Sequence, residues 1–297
     1  MKALDKLRTM HEALEKSGID GSVRDAELIL THSLGMDRAD LYKDNPDITE
    51  NILAEIDSLV ERRSKREPLQ YVLGYTEFCG LKIMVGPGVL IPRPETELLA
   101  GEAIEIIRSR NKTSVSEEQG ISSFILYPSS LVVLDLCTGS GCLAIALAKA
   151  FPDADVYGTD TSEISLEYAK KNAELNNVKS VTFLKGDLFE PVKNMRFDMI
   201  VSNPPYIQKS DIESLQPEIR DWEPVEALDG GEDGLDYYRR IISGAKNYLK
   251  DHGTLIFEIG AGQAEEVKKM AGEACLGHIS LLKDYAGIDR IVKVQKE

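Results

Sequence analysis

Cysteine, histidine and tryptophan are scarce here: 297 residues carry four cysteines, four histidines and one tryptophan. Cys79, Cys137, Cys142 and Cys275 show no paired metal-ligand spacing and the histidines are scattered, so no metal site is expected. Cys137 and Cys142 fall in an otherwise apolar stretch where buried thiols are common, which suits a reducing, cytoplasmic compartment better than a disulfide framework. Basic residues are also in short supply, 35 Lys and Arg against 50 Asp and Glu, for a net charge of −15. That balance argues against a large phosphate-tracking surface and favours a protein or small-molecule partner, with no direct nucleic-acid binding expected. The N-terminus lacks a continuous apolar run, since Met1 to Met10 carries alternating charges. Neither a signal peptide nor a membrane span is read there, and no membrane role is expected.

What is present supports ordinary cores: 42% of residues are hydrophobic, and the length favours a main domain with a smaller companion. Leu4, Leu7, Met10, His11 and Leu14 fall at helical spacing before Gly18; Val23, Ala26, Leu30 and Leu34 do so before Gly35. Ile52, Ile56, Leu59 and Val60 follow Thr49 in the same way, so residues 1–66 read as a small helical domain. Residues 67–90, opening with Pro68-Leu69-Gln70-Tyr71 and carrying Phe78, Leu81, Ile83 and Val85 between glycines, read as a linking β-hairpin. Residues 91–297 then read as the main α/β domain. It begins with Ile91-Pro92-Arg93-Pro94-Glu95-Thr96-Glu97 and a helix over Leu98 to Arg108. By spacing alone, Arg93 is a surface residue paired with Glu95 or Glu97. The polar stretch near 109–128 reads as a mobile surface insertion.

Strand and helix patterns alternate from residue 131 onward. Leu131 to Leu136 is a buried parallel strand by composition, followed by Cys137-Thr138-Gly139-Ser140-Gly141 and an apolar helix from Cys142 to Ala150. Gly139 and Gly141 would let a ligand approach the backbone at the helix N-terminus. The turn lacks a P-loop lysine and is not spaced as Gly-x-Gly-x-x-Gly, so an adenosine ligand without phosphates fits best. Asp160 ends the next strand about 20 residues on, where a carboxylate reaches ribose hydroxyls. Asp187 follows a third strand and could accept from an adenine amine, with Leu188 against the ring. A fourth apolar run, Phe197 to Val201, leads into Asn203-Pro204-Pro205-Tyr206.

The two prolines stiffen that loop and restrict Asn203, so the loop aims its side chains. The Asn203 amide oxygen, the Pro204 carbonyl and the flat face of Tyr206 suit a planar NH2 group. An amide or aromatic amine is a poor nucleophile; two acceptors on its N–H bonds hold it and stabilise the positive charge it gains on attack. The loop by itself serves a glutamine amide and an adenine amine equally well. Residues 207–234 are acidic and loop-like, with Trp222 among them, and read as a lid or substrate-facing loop. Leu235 to Lys250 then reads as a helix, Gly253 to Glu258 as a strand and Gln263 as the start of another helix, and Ile279 to Lys283 and Arg290 to Val294 bring the strands to seven.

In this order Asp135 to Gly141, Asp160, Asp187 and Asn203 to Tyr206 resemble the class I S-adenosylmethionine-dependent methyltransferases that act on amino nitrogens. Gln70-Tyr71-Val72-Leu73-Gly74, Ile91 to Glu97 and Ala227-Leu228-Asp229-Gly230-Gly231-Glu232-Asp233-Gly234-Leu235 extend the likeness. With them the whole chain is similar to the bacterial peptide chain release factor glutamine methyltransferases. The resemblance implies a Rossmann-like sheet and S-adenosylmethionine as methyl donor, with S-adenosylhomocysteine as product. It implies as acceptor the glutamine amide N5 of a release factor's Gly-Gly-Gln motif, and a monomer whose helical domain engages that factor. It places Cys137, Thr138, Gly139, Ser140, Gly141, Asp160, Asp187, Leu188 and Asn203 at the cofactor. It gives Asn203, Pro204 and Tyr206 catalytic roles, and Asn203 to Tyr206 with Arg93 and Glu95 contact with the substrate. Cys137 departs from the glycine common at its position. The alternatives are a ribosomal-protein glutamine methyltransferase, an adenine-N6 nucleic-acid methyltransferase and a noncatalytic binding subunit with the same fold.

Overall fold

In the computed structural model the described residues are 1–113 and 131–297, and they form two compact units. The first comprises Met1–Thr76, Val85–Pro87 and Leu215–Glu223; the second comprises Glu77–Met84, Gly88–Ser214 and Pro224–Glu297.

The first unit is helical: α1 (Ala3–Lys16), α2 (Ser22–Leu34), α3 (Arg38–Asp44), α4 (Glu50–Ser64) and α5 (Leu69–Leu73). Met10, Leu14, Ile29, Leu30, Leu41 and Ile56 are buried together at its centre, each contributing roughly 1.5–3 kcal/mol of burial free energy. Gly35 ends α2 in the left-handed region, at φ 62°, as a glycine just past a helix should. Two helices escape the apolar spacing. The seven-residue α3 offers little pattern and is started by the Asp37 carboxylate accepting from the Asp40 N–H at 2.8 Å. α5 stands where Pro68 to Tyr71 reads as β; Pro68 caps one turn that Gly74 ends at φ 82°. Val72 of that turn packs into the helical core, so burial overrides local β character. The segment Leu215–Glu223 is held by ion pairs: Glu218 takes Arg63 at 3.1 Å and Arg66 at 2.8 Å, while Arg63, buried, also meets Asp25 at 2.7 Å.

β1 (Tyr75–Phe78) and β2 (Leu81–Met84) make a two-stranded sheet, and the division between units falls inside β1. The second unit continues with α6 (Pro94–Thr113), β3 (Val132–Leu136), α7 (Cys142–Ala150), β4 (Asp155–Asp160), α8 (Glu163–Leu175), β5 (Val181–Lys185) and β6 (Phe197–Ser202). After α9 (Pro217–Arg220), which lies in the first unit, come α10 (Asp236–Tyr248), β7 (Leu249–Glu258), α11 (Ala264–Glu273), β8 (Gly277–Lys283) and β9 (Asp289–Lys296). α6 is longer than its apolar spacing predicts. Pro94 presets φ at the first turn, where Glu95 and Glu97 favour the positive end of the helix dipole. Its last residues also make 109–113 helical; the rest of the predicted polar insertion, from residue 114, lies outside the described residues.

The seven strands run in the order β5-β4-β3-β6-β7-β9-β8. β3 to β7 pair in parallel, and β9 joins antiparallel to both β7 and β8. The chain winds outward from β3 to β5 and returns to β6 on the other side of β3. Such a reversal opens a crevice beyond the carboxyl ends of β3 and β6, where Cys137 and Asn203 begin their loops. Packing alone requires glycine at position 141. At φ 79°, a Cβ there would sit 2.9 Å from Ala169 Cβ and 3.0 Å from the Phe183 ring.

Candidate active site

A cavity of about 360 Å³ lies in this crevice, walled by the loops after β3, β4, β5 and β6. Cys137, Gly139, Asp160, Asp187, Leu188, Asn203 and Pro205 all line it, so residues up to 68 positions apart meet on one surface. Three of the five residues in the turn after β3 do not. Thr138 and Ser140 are buried; the Thr138 hydroxyl donates to Asp135 at 2.5 Å, and the Ser140 carbonyl accepts from Asn172 at 2.9 Å. With Gly141 they shape the turn from inside. Cys137 sits at φ 57°, a left-handed conformation that explains why glycine suits the position. Burial pushes its thiol well above the usual cysteine range, helped by the charges of Asp160, Asp135 and Asp187; it is neutral and no nucleophile.

Asp160 ties the turn to its own strand end. One oxygen accepts from the Gly139 N–H at 2.9 Å and the other from the Ser162 N–H at 2.8 Å, and burial raises its pKa. Asp187 is engaged by Arg240 of α10, and the Arg240 guanidinium lies 5.7 Å from the Tyr237 ring. Tyr237 lines the cavity as well, as do Leu90, Pro224, Glu226 and Ala227. Sequence patterning named none of these five individually for the site: Leu90, Pro224, Glu226 and Ala227 come from loops and a short turn, and Tyr237 stands on a helix read only for its packing face.

Beneath the turn lies Asp135, fully buried, with its pKa pushed up to about 7 chiefly by burial. Its Oδ2 accepts from Thr138 and from the Ala144 N–H at 3.2 Å; its Oδ1 has no hydrogen-bond partner among the described residues.

The acceptor loop is held differently. Asn203 Nδ2 donates to Thr96 Oγ1 at 2.9 Å, and Thr96 Oγ1 donates to Glu258 Oε2 at 2.8 Å. Tyr206 OH donates to Glu258 Oε1 at 3.2 Å. Glu258, 1% exposed at the end of β7, therefore receives both side chains of the loop, one of them through Thr96. Burial raises the pKa of Glu258 and of Tyr206 alike, and the Glu258 charge adds to the shift at Tyr206. Gln263, which patterning reads only as a helix start, is engaged at both ends of its amide, sharing the Tyr238 hydroxyl with the Glu258 carbonyl. Its Nε2 donates to the carbonyls of Tyr206 at 2.9 Å and Gly234 at 3.2 Å. Its Oε1 accepts from the Gly260 N–H at 2.8 Å and from Tyr238 OH at 3.2 Å. Gly234 is glycine for this reason: at φ 73°, a Cβ there would lie 2.5 Å from Tyr206 O and 2.8 Å from Gln263 Nε2.

Pro204 is buried, and Pro204 and Tyr206 are not in the cavity wall. Arg93 and Glu95 are not in it either. Arg93 lies near enough to Tyr206 to lower its pKa, and Glu95 near enough to Glu258 to raise it. Among the described residues no group of three or more His, Cys, Asp or Glu is placed to hold a metal ion. No helix among them is long and apolar enough to cross a membrane.

Residues 5–74 match the family model described as PrmC N-terminal domain, and residues 124–218 match the one described as Methyltransferase small domain. The chain is 45% identical over 296 residues to the release factor glutamine methyltransferase of Thermodesulfovibrio yellowstonii, covering 100% of this chain and 99% of that protein. It is 44% identical to the same-named protein of Geobacter sulfurreducens, over 94% of this chain and 91% of that one. Among solved structures, the T. thermophilus 16S rRNA N2 G1207 methyltransferase in complex with AdoMet and guanosine matches with a TM-score of 0.51. The identity is 20%, over 75% of this chain and 50% of that one, a likeness of fold.

Proposed function

The chain belongs to the release factor glutamine methyltransferase family, and on that premise we propose that it methylates the side-chain amide nitrogen (N5) of the glutamine in the Gly-Gly-Gln motif of peptide chain release factors. The observation that carries this reading is Asn203: with Pro205 it brings the acceptor loop into the wall of the cavity that Asp160 and Asp187 also line.

The residues present fit S-adenosylmethionine. The carboxylates of Asp160, Asp187 and Glu226 line the cavity and no lysine or arginine among the described residues does, a field that favours a cationic ligand. Asp160 would hold the ribose hydroxyls, Asp187 and Leu188 would flank the adenine, and Cys137 and Gly139 would face the remainder. When bound, S-adenosylmethionine supplies a methyl group on a positively charged sulfur, which leaves as S-adenosylhomocysteine.

The chain's own part is positioning. Asn203 Oδ1 and the Pro204 carbonyl accept from the glutamine NH2, hold its nitrogen in line and stabilise the charge it acquires. Tyr206 offers its ring to the amide plane. Arg93 and Glu95, outside the cavity wall, would meet the protein substrate beyond its glutamine, and the helical unit would help to engage the factor. Mass spectrometry of a release factor incubated with this protein and S-adenosylmethionine tests the reading, beside a factor whose Gly-Gly-Gln glutamine is alanine. One methyl gained on that glutamine alone is expected. Label entering a ribosomal protein or nucleic acid instead would overturn the acceptor assignment.

A further inference from the structure

The hydrogen-bond chain behind the acceptor loop has a direction that chemistry imposes. A carboxylate only accepts, and a hydroxyl has one proton. Thr96 gives its proton to Glu258 Oε2, so only lone pairs of Thr96 Oγ1 remain for Asn203. The amide end of Asn203 that faces Thr96 must then be its NH2, and Oδ1 is turned the other way. Tyr206 OH occupies Glu258 Oε1, which leaves neither oxygen of the carboxylate able to exchange roles. From this arrangement we infer that Thr96 and Glu258 are positioning residues for methyl transfer: the buried carboxylate, acting through the Thr96 hydroxyl, decides which end of the Asn203 amide is presented to the acceptor.

The inference rests on the proposed role of Asn203 as a hydrogen-bond acceptor. Three surroundings favour the ionised form that it needs. Thr96 and Tyr206 hydrogen-bond to Glu258, and the Arg290 charge acts on it, together opposing the burial that raises its pKa. Arg290 is itself anchored to the Ile259 carbonyl at 3.3 Å and to Asp284. Thr96 is 2% exposed and Glu258 1%, and neither lines the cavity, so both act through Asn203 and Tyr206.

The test uses the full chain with a release factor and S-adenosylmethionine. Thr96→Val keeps the shape and removes the hydroxyl; it should lower kcat roughly 10²-fold, the scale of a misplaced reacting group. The KM for S-adenosylmethionine and the affinity for S-adenosylhomocysteine should stay unchanged. Thr96→Ser restores the hydroxyl and should recover most of the rate. Glu258→Gln offers one acceptor where two are used, so kcat should fall again, and the double variant should be little worse than Thr96→Val because both break one chain. The side-chain NH2 resonances of Asn203, assigned with Asn203→Ala, should move in Thr96→Val and stay in Thr96→Ser, whatever the acceptor. A folded Thr96→Val with wild-type kcat and unmoved Asn203 resonances overturns the inference, as does Thr96→Ser behaving like Thr96→Val. Wild-type protein that methylates another acceptor sinks the proposed function alone, since the same kcat ratios are then read on that acceptor.

Discussion

The two sides of the crevice handle their polar atoms in opposite ways. On the side of β3, β4 and β5, the carboxylates that line the cavity keep lone pairs for a ligand: Asp160 accepts one backbone N–H at each oxygen, from Gly139 and Ser162, and Asp187 pairs with the half-exposed Arg240. On the side of β6 and β7, both Glu258 oxygens and both ends of the Gln263 amide are engaged. A cofactor that enters and leaves each turnover needs contacts that can be exchanged. An acceptor group that must be aimed needs contacts that cannot.

Asn203→Ala is the hardest test of that contrast. It removes an acceptor at the rigid side, so kcat should fall by about 10²- to 10³-fold, as for loss of one preorganised transition-state contact, a larger loss than that in S-adenosylhomocysteine affinity read by calorimetry. A loss of cofactor affinity as large as the loss of rate would show that the two sides are one.

The open side carries a cost of its own at Asp135. Its folded pKa of about 7 lies above the ordinary value of 3.8, so between these limits the folded chain keeps a proton that the unfolded chain releases. Stability from this group is full below about pH 4 and is lost as pH rises through about 7. Asp135→Asn keeps an acceptor for Thr138 and Ala144 without the buried charge. It should therefore match the parent near pH 4 and exceed it at pH 8 by as much as about 4 kcal/mol. Urea unfolding of both proteins at the two pH values measures this; an equal gap at both would mean that the carboxyl is not proton-linked to folding.

The same division governs what the sequence makes legible. Asp160, Asp187 and Asn203 each follow a strand that period and composition reveal, so a parallel sheet brings them to one edge by its topology alone. Thr96, Glu258 and Gln263 carry no such mark. Thr96 reads as a helix starter, Glu258 as the end of an apolar run and Gln263 as the start of another helix, and their hydrogen bonds to Asn203 and Tyr206 span up to 107 positions of chain. Gly141 teaches the converse: a glycine in a ligand-type turn, required by Ala169 and Phe183. α3 and α5 were hidden for a third reason, being too short for a 3.6-residue period to show and set by Asp37, Gly74 and the burial of Leu41 and Val72.

The smallest effect should come from the exposed pair that covers Asp187. Arg240 and Asp187 keep 47% and 39% of their side-chain surface in water, where such a pair is worth about 0.2–1 kcal/mol and is screened by salt. Arg240→Ala leaves the Asp187 carboxylate free for an amine donor of the ligand, so S-adenosylhomocysteine should bind up to about fivefold tighter at low ionic strength. The gain should shrink in high salt, because the parent pair is already weakened there. Titration calorimetry at two salt concentrations separates the outcomes. Binding weakened tenfold or more, independent of salt, would make Asp187 and Arg240 a fixed unit, and the cofactor side of the crevice would then be as rigidly held as the acceptor side.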